Sequence, residues 1–225
     1  MQSKRGEGSR MGAGYPIFVD LNQRRVVVIG GGSVAERKIA TLLEFGADVR
    51  VVSPEVTDPI ARLAAEGGIE LRKRVYEPGD LEGAFLAICT CGKPEEDARV
   101  HDEARRRNCL LNVADVPSEC DFILPSFMSR GRLQIAVSTN GSACTEAKNI
   151  RRHLEEEYDE SWEAYLDLLY EMRQLVKQRI EGQEEHRKPI FEAATRVGFR
   201  QRLAAGEDIT AEDAYAEAVR AARED

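Results

Sequence analysis

The sequence predicts an α/β fold: a parallel sheet with crossover helices, then a small β-containing segment, then a helical C-terminal domain. Three observations carry this. From residue 25, short Val/Ile-rich runs alternate with amphipathic stretches, the pattern of successive strand–helix–strand units. A glycine cluster, Gly30-Gly31-Gly32, separates the first run from the first amphipathic stretch. From Thr145 to Ile180 there is neither proline nor glycine, while Leu154, Tyr158, Trp162, Tyr165, Leu168 and Met172 recur at helical intervals.

The runs at 25–29, 48–52, 69–74, 84–89 and 109–113 read as strands, each short and rich in β-branched or aliphatic residues. Between the first two, residues 34–45 place Val34, Ile39, Leu42 and Leu43 near helical spacing, with Gly46 as the stop. Residues 94–108 form a second crossover helix: Pro94 stands near its start and Glu95, Glu96 and Asp97 fill the first turn, where the helix dipole favours acids. Two further apolar runs, 122–124 and 133–138, flank a polar Ser129-Arg130-Gly131-Arg132 turn and suggest a small β segment. The helical tail divides into two segments, broken by Gly182 and Pro189, and a shorter helix follows at 211–223. The organisation is therefore a disordered lead-in over 1–14, a nucleotide-binding domain over 15–121, a small segment over 122–152 and a helical domain over 153–225.

Composition narrows the function classes. In 225 residues no apolar run approaches the roughly 18 to 20 that a membrane-spanning helix needs, so a soluble protein without a membrane partner is expected. The first 14 residues are charged and Gly/Ser-rich, unlike a secretory signal. Five scattered cysteines, an odd number, predict reduced thiols in the cytoplasm rather than a disulfide framework. A net charge of −8 argues against nucleic acid, and almost all of it lies beyond residue 150. The front part is close to neutral and suited to an anionic ligand.

A strand, Gly30-x-Gly32-x-x-Ala35 and a helix in succession give the context of a dinucleotide fingerprint, which makes the sheet Rossmann-type. Gly30 makes the tight turn, Gly32 lets the backbone approach a pyrophosphate, and Ala35 permits close helix packing. Gly31, Ser33 and Val34 complete the candidate phosphate loop. Ser53 and Pro54 stand at the end of the second strand, where an NAD site usually shows an acid for the ribose hydroxyls. No arginine follows Ser53 directly to take a 2′-phosphate either, so NAD and NADP stay open on these residues. Thr90, after the fourth strand, is the candidate for the nicotinamide half. The alternative is a glycine turn kept only for packing.

The segments Tyr15-Pro16-Ile17-Phe18-Val19-Asp20-Leu21, Val28-Ile29-Gly30-Gly31-Gly32-Ser33-Val34-Ala35-Glu36-Arg37-Lys38, Asn112-Val113-Ala114-Asp115 and Phe122-Ile123-Leu124-Pro125-Ser126 together resemble the siroheme synthase dehydrogenase module, whose stand-alone members are precorrin-2 dehydrogenases. The match runs over about 15–139; beyond Arg152 only helical character is shared. The resemblance implies oxidation of precorrin-2 to sirohydrochlorin with NAD as hydride acceptor. It also implies ferrous-iron insertion in some members, and a homodimer interlocked through the segment after the Rossmann domain. It places the catalytic acid/base at Asp115. Independently, oxidising a reduced macrocycle releases protons, and a carboxylate at the carboxyl end of the sheet suits that task. The alternative is that Asp115 caps the Val116-Pro117-Ser118 turn.

A polycarboxylate substrate calls for cations and hydroxyls. Asn112, Ser126, Arg130, Ser138, Thr139 and Lys148 are the substrate candidates, with Arg132, Arg151, Arg152, Arg37 and Lys38 as weaker ones; solvated surface charge is the alternative for each. Two departures from the family pattern stand out. Asn140-Gly141-Ser142-Ala143-Cys144 replaces a Ser-Pro-type helix start, and Cys91-Gly92-Lys93 stands where an aspartate often follows. Cys89-x-Cys91 has no second Cys or His pair, and His101, His153 and His186 are isolated, so the two thiols read as buried strand-end cysteines and no metal ligand is assigned. The competing function from another class is an NAD-sensing regulatory module without catalysis.

Overall fold

The computed structural model describes residues 14–182 and 184–224, so all but Gly14 of the expected lead-in lies outside the described residues. Two compact units emerge, one ending at Leu124 and one beginning at Pro125.

In the first unit, β1 (Arg25–Ile29), β2 (Asp48–Val52), β3 (Glu70–Arg72), β4 (Leu86–Cys89) and β5 (Leu110–Val113) form one parallel sheet in the order β3-β2-β1-β4-β5. Helices α1 (Ser33–Glu44), α2 (Asp58–Ala65) and α3 (Pro94–Arg107) make the crossovers. β1 is buried on both faces, which explains its unbroken Val-Val-Val-Ile run. Alternation then divides the core. Val26 and Val28 pack with Ile39, Leu42 and Ile60 of α1 and α2, while Val27 and Ile29 pack with Val100 and Ala104 of α3.

The expected strands and helices of this unit stand within one or two residues of their places, with β3 trimmed to three residues and β4 to four. Helix α2 is an addition. Its start signals, Thr57 at the N-cap and a proline in the first turn, are present, and Ile60, Leu63 and Ala64 face the core together, but the helix is only eight residues long. Between β3 and β4 the chain makes no helix. Its turn is held by Asp80, 1% exposed, which accepts from Arg72 Nη1 at 2.7 Å, from Arg74 Nη1 at 2.7 Å and from the Glu77 amide at 2.9 Å. Burial raises the Asp80 carboxyl's pKa, but the hydrogen bonds from Arg74, Glu77 and Arg72 outweigh it and bring it down to about 2.

The second unit opens with the antiparallel pair β6 (Ser126–Arg130) and β7 (Leu133–Val137), joined through Gly131 at φ +53. The first of these strands is displaced from the expected run at 122–124. Phe122 packs on the first unit's core and its carbonyl accepts from Asn112, and Pro125 has no N–H to give a ladder. Helices α4 (Cys144–Glu157), α5 (Ser161–Arg179), α6 (Glu184–Ala194), α7 (Phe199–Ala204) and α8 (Ala211–Glu224) follow. The tail is helical as expected, and its first break falls at residues 158–160, ahead of the expected one at Gly182. Met172 and Val176 of α5, Phe199 of α7, and Ala214 and Ala218 of α8 form the unit's core. Pro189 does not break the chain, contrary to expectation: it lies inside α6, where it costs the helix one amide hydrogen bond while its neighbour Ile190 is buried in that core. Among the described residues no helix is long and apolar enough to cross a membrane.

Candidate functional site

In an open parallel sheet ligands bind beyond the carboxyl ends of the strands, where the strand order reverses. Here that point lies between β1 and β4, whose ends are Gly30 and Thr90. Gly30 has φ +108, and a Cβ on it would meet the Thr90 hydroxyl at 2.4 Å. The Thr90 amide and hydroxyl both donate to the Ile29 carbonyl, at 2.8 and 3.1 Å, which fixes that contact.

Gly31 is required for a different reason. A Cβ there would lie 2.4 Å from the Glu55 carbonyl oxygen and 2.6 Å from Val56 Cγ1, because the β2–α2 loop crosses directly over it. The Thr57 amide donates to the Gly31 carbonyl at 3.0 Å and clamps that loop in place.

Gly32 is the opposite case. It is the N-cap of α1 at φ −80 and ψ −174, a conformation open to any residue, and a Cβ there would meet nothing within 4 Å. The fold makes no demand for glycine at this position. The space in front of Gly32, at the amino end of a 12-residue helix, is therefore a cradle that a side chain would fill and a phosphate can occupy. The buried hydroxyl of Thr57, beside the same turn, has no hydrogen-bond partner. Both observations fit a dinucleotide.

Among the other cofactor candidates, Ser33 and Val34 are exposed on the first turn of α1 and Ala35 is fully buried beneath it. Ser53 is buried and its hydroxyl donates to the Glu55 carbonyl at 2.5 Å, so it shapes the loop over Gly31; Pro54 is exposed beside it.

Asp115 follows β5 at the same end of the sheet. It is exposed, holds φ +64, and its carboxylate makes no cap to the following 3-10 turn (Pro117–Glu119). An aspartate in the left-handed region without a local hydrogen bond weakens the capping alternative. The end of β5 is tied to β4 by the Ala114 amide donating to the Cys89 carbonyl at 2.8 Å. Lys38 on α1 lies within electrostatic reach of Asp115 and Cys120. Burial pushes its ammonium below the usual lysine range, the charges of Cys120 and Asp115 act to raise it again, and Arg37 adds to the lowering. The electrostatic influence of Asp115 on Lys38 was invisible in the sequence, where 77 residues separate them.

Asn112 is buried. Its Nδ2 donates to the Phe122 carbonyl at 3.0 Å, tying down the segment that leads out of the first unit. In the second unit, Ser138 Oγ accepts from the Asn140 amide and Thr139 Oγ1 accepts from the Ala143 amide, both at 3.1 Å, so this pair builds the turn into α4. Ser126 begins β6, opposite Val137. Arg130 Nε is buried without a hydrogen bond, while its Nη1 donates to the Ser129 carbonyl at 3.2 Å. Lys148 is exposed on α4. Arg132 pairs with Asp167 at 2.7 Å beneath the Tyr170 ring, and Arg151 pairs with Glu155, so these two cations are already engaged.

Residues 17–126 match the family described as putative NAD(P)-binding, and residues 130–157 match the central segment of sirohaem biosynthesis protein. The chain is similar to the siroheme synthase of Methylobacillus flagellatus, 38% identical over 172 residues that make up 76% of this chain and 37% of that protein. It is 34% identical to the siroheme synthase of Azotobacter vinelandii over 197 residues, 88% of this chain and 42% of that one. The chain thus spans about two fifths of the length of the curated relatives it matches. Among solved structures, the precorrin-2 dehydrogenase SirC superimposes with a TM-score of 0.72 at 26% identity, covering 94% of this chain and 100% of that one. The first unit is accordingly a nicotinamide-dinucleotide-binding domain.

Proposed function

This chain belongs to the family of siroheme synthase dehydrogenase modules, and from that premise we propose that it oxidises precorrin-2 to sirohydrochlorin with NAD. The observation that carries the reading is the placement of Asp115: a carboxylate that is exposed and has no hydrogen bond among the described residues, at the carboxyl end of a dinucleotide-binding sheet and within electrostatic reach of the half-buried Lys38.

The bound nicotinamide supplies the two-electron acceptor. Gly32, Ser33 and the first turn of α1 would hold the pyrophosphate through backbone N–H groups, and Gly30 and Thr90 would border the nicotinamide half. The β2 edge supports the reading that NAD is preferred. The Ser53 hydroxyl is engaged by Glu55, and Arg50, Arg72 and Arg74 are bound to Glu70 or Asp80 rather than offered to a 2′-phosphate.

Oxidation of the macrocycle removes two hydrogens, one with its electron pair and one as a proton. Asp115 takes that proton at its carboxylate oxygen, and as an exposed group it returns the proton to solvent after turnover. Lys38, a cation within electrostatic reach of Asp115, attracts the acidic substrate. Asn112, by holding the Phe122 segment, keeps the β5 loop that bears Asp115 in position. Lys148, Arg130 and the hydroxyls of Ser126, Ser138 and Thr139 are our assignments for groups that bind the substrate's carboxylates, and a homodimer is the assembly we assign.

Purified protein given precorrin-2 with NAD or NADP in parallel tests the reading. We expect the sirohydrochlorin spectrum with NAD and a slower appearance with NADP. No spectral change with either cofactor overturns the assignment.

A further inference from the structure

Strand β4 runs into Cys89-Thr90-Cys91, and alternation sends Thr90 toward the glycine turn and both cysteines to the opposite face of the sheet. There the first turn of α3 presents Asp97. The three side chains converge in a near-equilateral triangle. The two sulfurs lie 2.9 Å apart, and Asp97 Oδ1 lies 3.0 Å from Cys89 Sγ and 3.1 Å from Cys91 Sγ. Cys89 and Asp97 are buried, at 0% and 6% exposure, and Cys91 is half-buried, so the triangle is closed toward the core and open beside Cys91.

The environment of Asp97 sets it apart from the unit's other buried carboxylates. Asp80 is answered by Arg72 and Arg74, and Glu103 by Arg107. Asp97 receives only the two thiols, which are weak donors, and among the described residues no basic side chain is paired with it. A buried carboxylate without a cation costs several kcal/mol unless something positive compensates it.

We propose that Cys89, Cys91 and Asp97 form a binding site for a thiophilic divalent cation of the zinc, cobalt(II) or iron(II) kind, with the fourth coordination position open beside Cys91. Two thiolates and a carboxylate bring three negative charges, and sulfur ligands select against magnesium and calcium. Three protein ligands and one open position is an arrangement zinc-type ions adopt. Tetrahedral coordination separates such ligand atoms by about 3.5–3.8 Å, so binding spreads the triangle by less than about 1 Å. Gly92, at φ +64 with open space around it, gives Cys91 the freedom for that movement. Both thiols lose their protons to solvent on binding and no electron transfer is involved, so occupancy increases with pH. A cation here clamps residues 89–91 and with them Thr90, the floor of the dinucleotide site. The site rests on the geometry of the first unit and not on the reaction proposed above.

Cobalt(II) titration of the full, reduced protein tests this. The expected result is one cobalt per chain, with a thiolate-to-metal charge-transfer band and the visible bands of tetrahedral cobalt, displaced by zinc. Cys91→Ser and Asp97→Asn each weaken the titration by on the order of 10- to 100-fold or more, since they remove ligands themselves. Cys144→Ser and Asp115→Ala leave it unchanged, which separates this site from the proposed catalytic one. As a check independent of any variant, zinc protects the half-buried Cys91 of the unaltered protein from a thiol reagent while the exposed Cys144 stays reactive. Absence of the charge-transfer band, its persistence in Cys91→Ser, or conversion of Cys89 and Cys91 to a disulfide in preference to metal uptake would each overturn the proposal.

Discussion

Replacing Gly32 with alanine separates the demands of the fold from those of the cofactor. The residue caps α1 at φ −80 and ψ −174, which alanine adopts freely, and its added Cβ meets no heavy atom within 4 Å. Loss of chain entropy in the unfolded state favours alanine by about 0.4–1 kcal/mol, while alanine is a poorer N-cap than glycine by a similar amount. The net effect on stability is thus within about 1 kcal/mol, a shift in Tm of no more than about 4 °C for a chain of this size. The same methyl group stands where the pyrophosphate must approach the backbone, and we expect NAD affinity to fall by on the order of 10- to 100-fold, about 1.4–2.7 kcal/mol. Gly31→Ala behaves in the reverse sense. Its Cβ is driven to 2.4 Å from the Glu55 carbonyl oxygen, a backbone atom that cannot swing away, so overpacking costs about 1–3 kcal/mol before any ligand is added. Calorimetric titration with NAD, alongside thermal unfolding of each apo variant, measures both quantities. If Gly32→Ala bound NAD as tightly as the unaltered protein, the placement of the phosphates over this turn would be wrong.

Further predictions concern charge. The carboxyl of Asp80 titrates lower in the folded chain, about 2, than its ordinary value of 3.8, so its contribution is complete above about pH 4 and is lost as pH falls through about 2. Allowing for the partial exposure of Arg72 and Arg74, that contribution is about 1–2 kcal/mol; urea unfolding of Asp80→Asn against the unaltered protein should show a constant gap near neutrality that closes between about pH 4 and pH 2. A gap independent of pH in that window contradicts the assignment. Lys38→Met removes the cation beside Asp115, and kcat/KM for the polycarboxylate substrate should fall by on the order of tenfold at low ionic strength, with the difference shrinking as salt is added. An effect indifferent to salt would assign Lys38 to packing instead.

Legibility of the fold followed the strength of local signals. β1, α1, β2 and α3 stand within a residue or so of their expected ends because β-branched runs, helical spacing, Gly46 and Pro94 all agree there. Helices α2 and α7 escaped because they are short, 8 and 6 residues, so that Ile60 with Leu63, or Phe199 with Leu203, covers about one turn and sets no repeating period. Pro189 misled because a proline signal is local, whereas the packing of Ile190 and Ala194 that retains α6 is not. At the site, the glycine turn was readable, yet the division of labour between Gly31 and Gly32 was not, since it depends on the β2–α2 loop passing over one and not the other. Crossover connections hid the electrostatic reach of Lys38 to Asp115, and the turn from β4 into α3, which folds Asp97 back onto the two cysteines, left no periodic signal in the sequence.

The most direct test of the proposed activity is the turnover of Asp115→Ala with precorrin-2 and NAD, measured with its melting temperature and NAD affinity. Asp115 is exposed and makes no cap, so stability and cofactor binding should be unchanged while kcat drops by on the order of 10²- to 10⁴-fold. Sirohydrochlorin formation at the unaltered rate by a normally folded, NAD-binding Asp115→Ala protein would contradict the account.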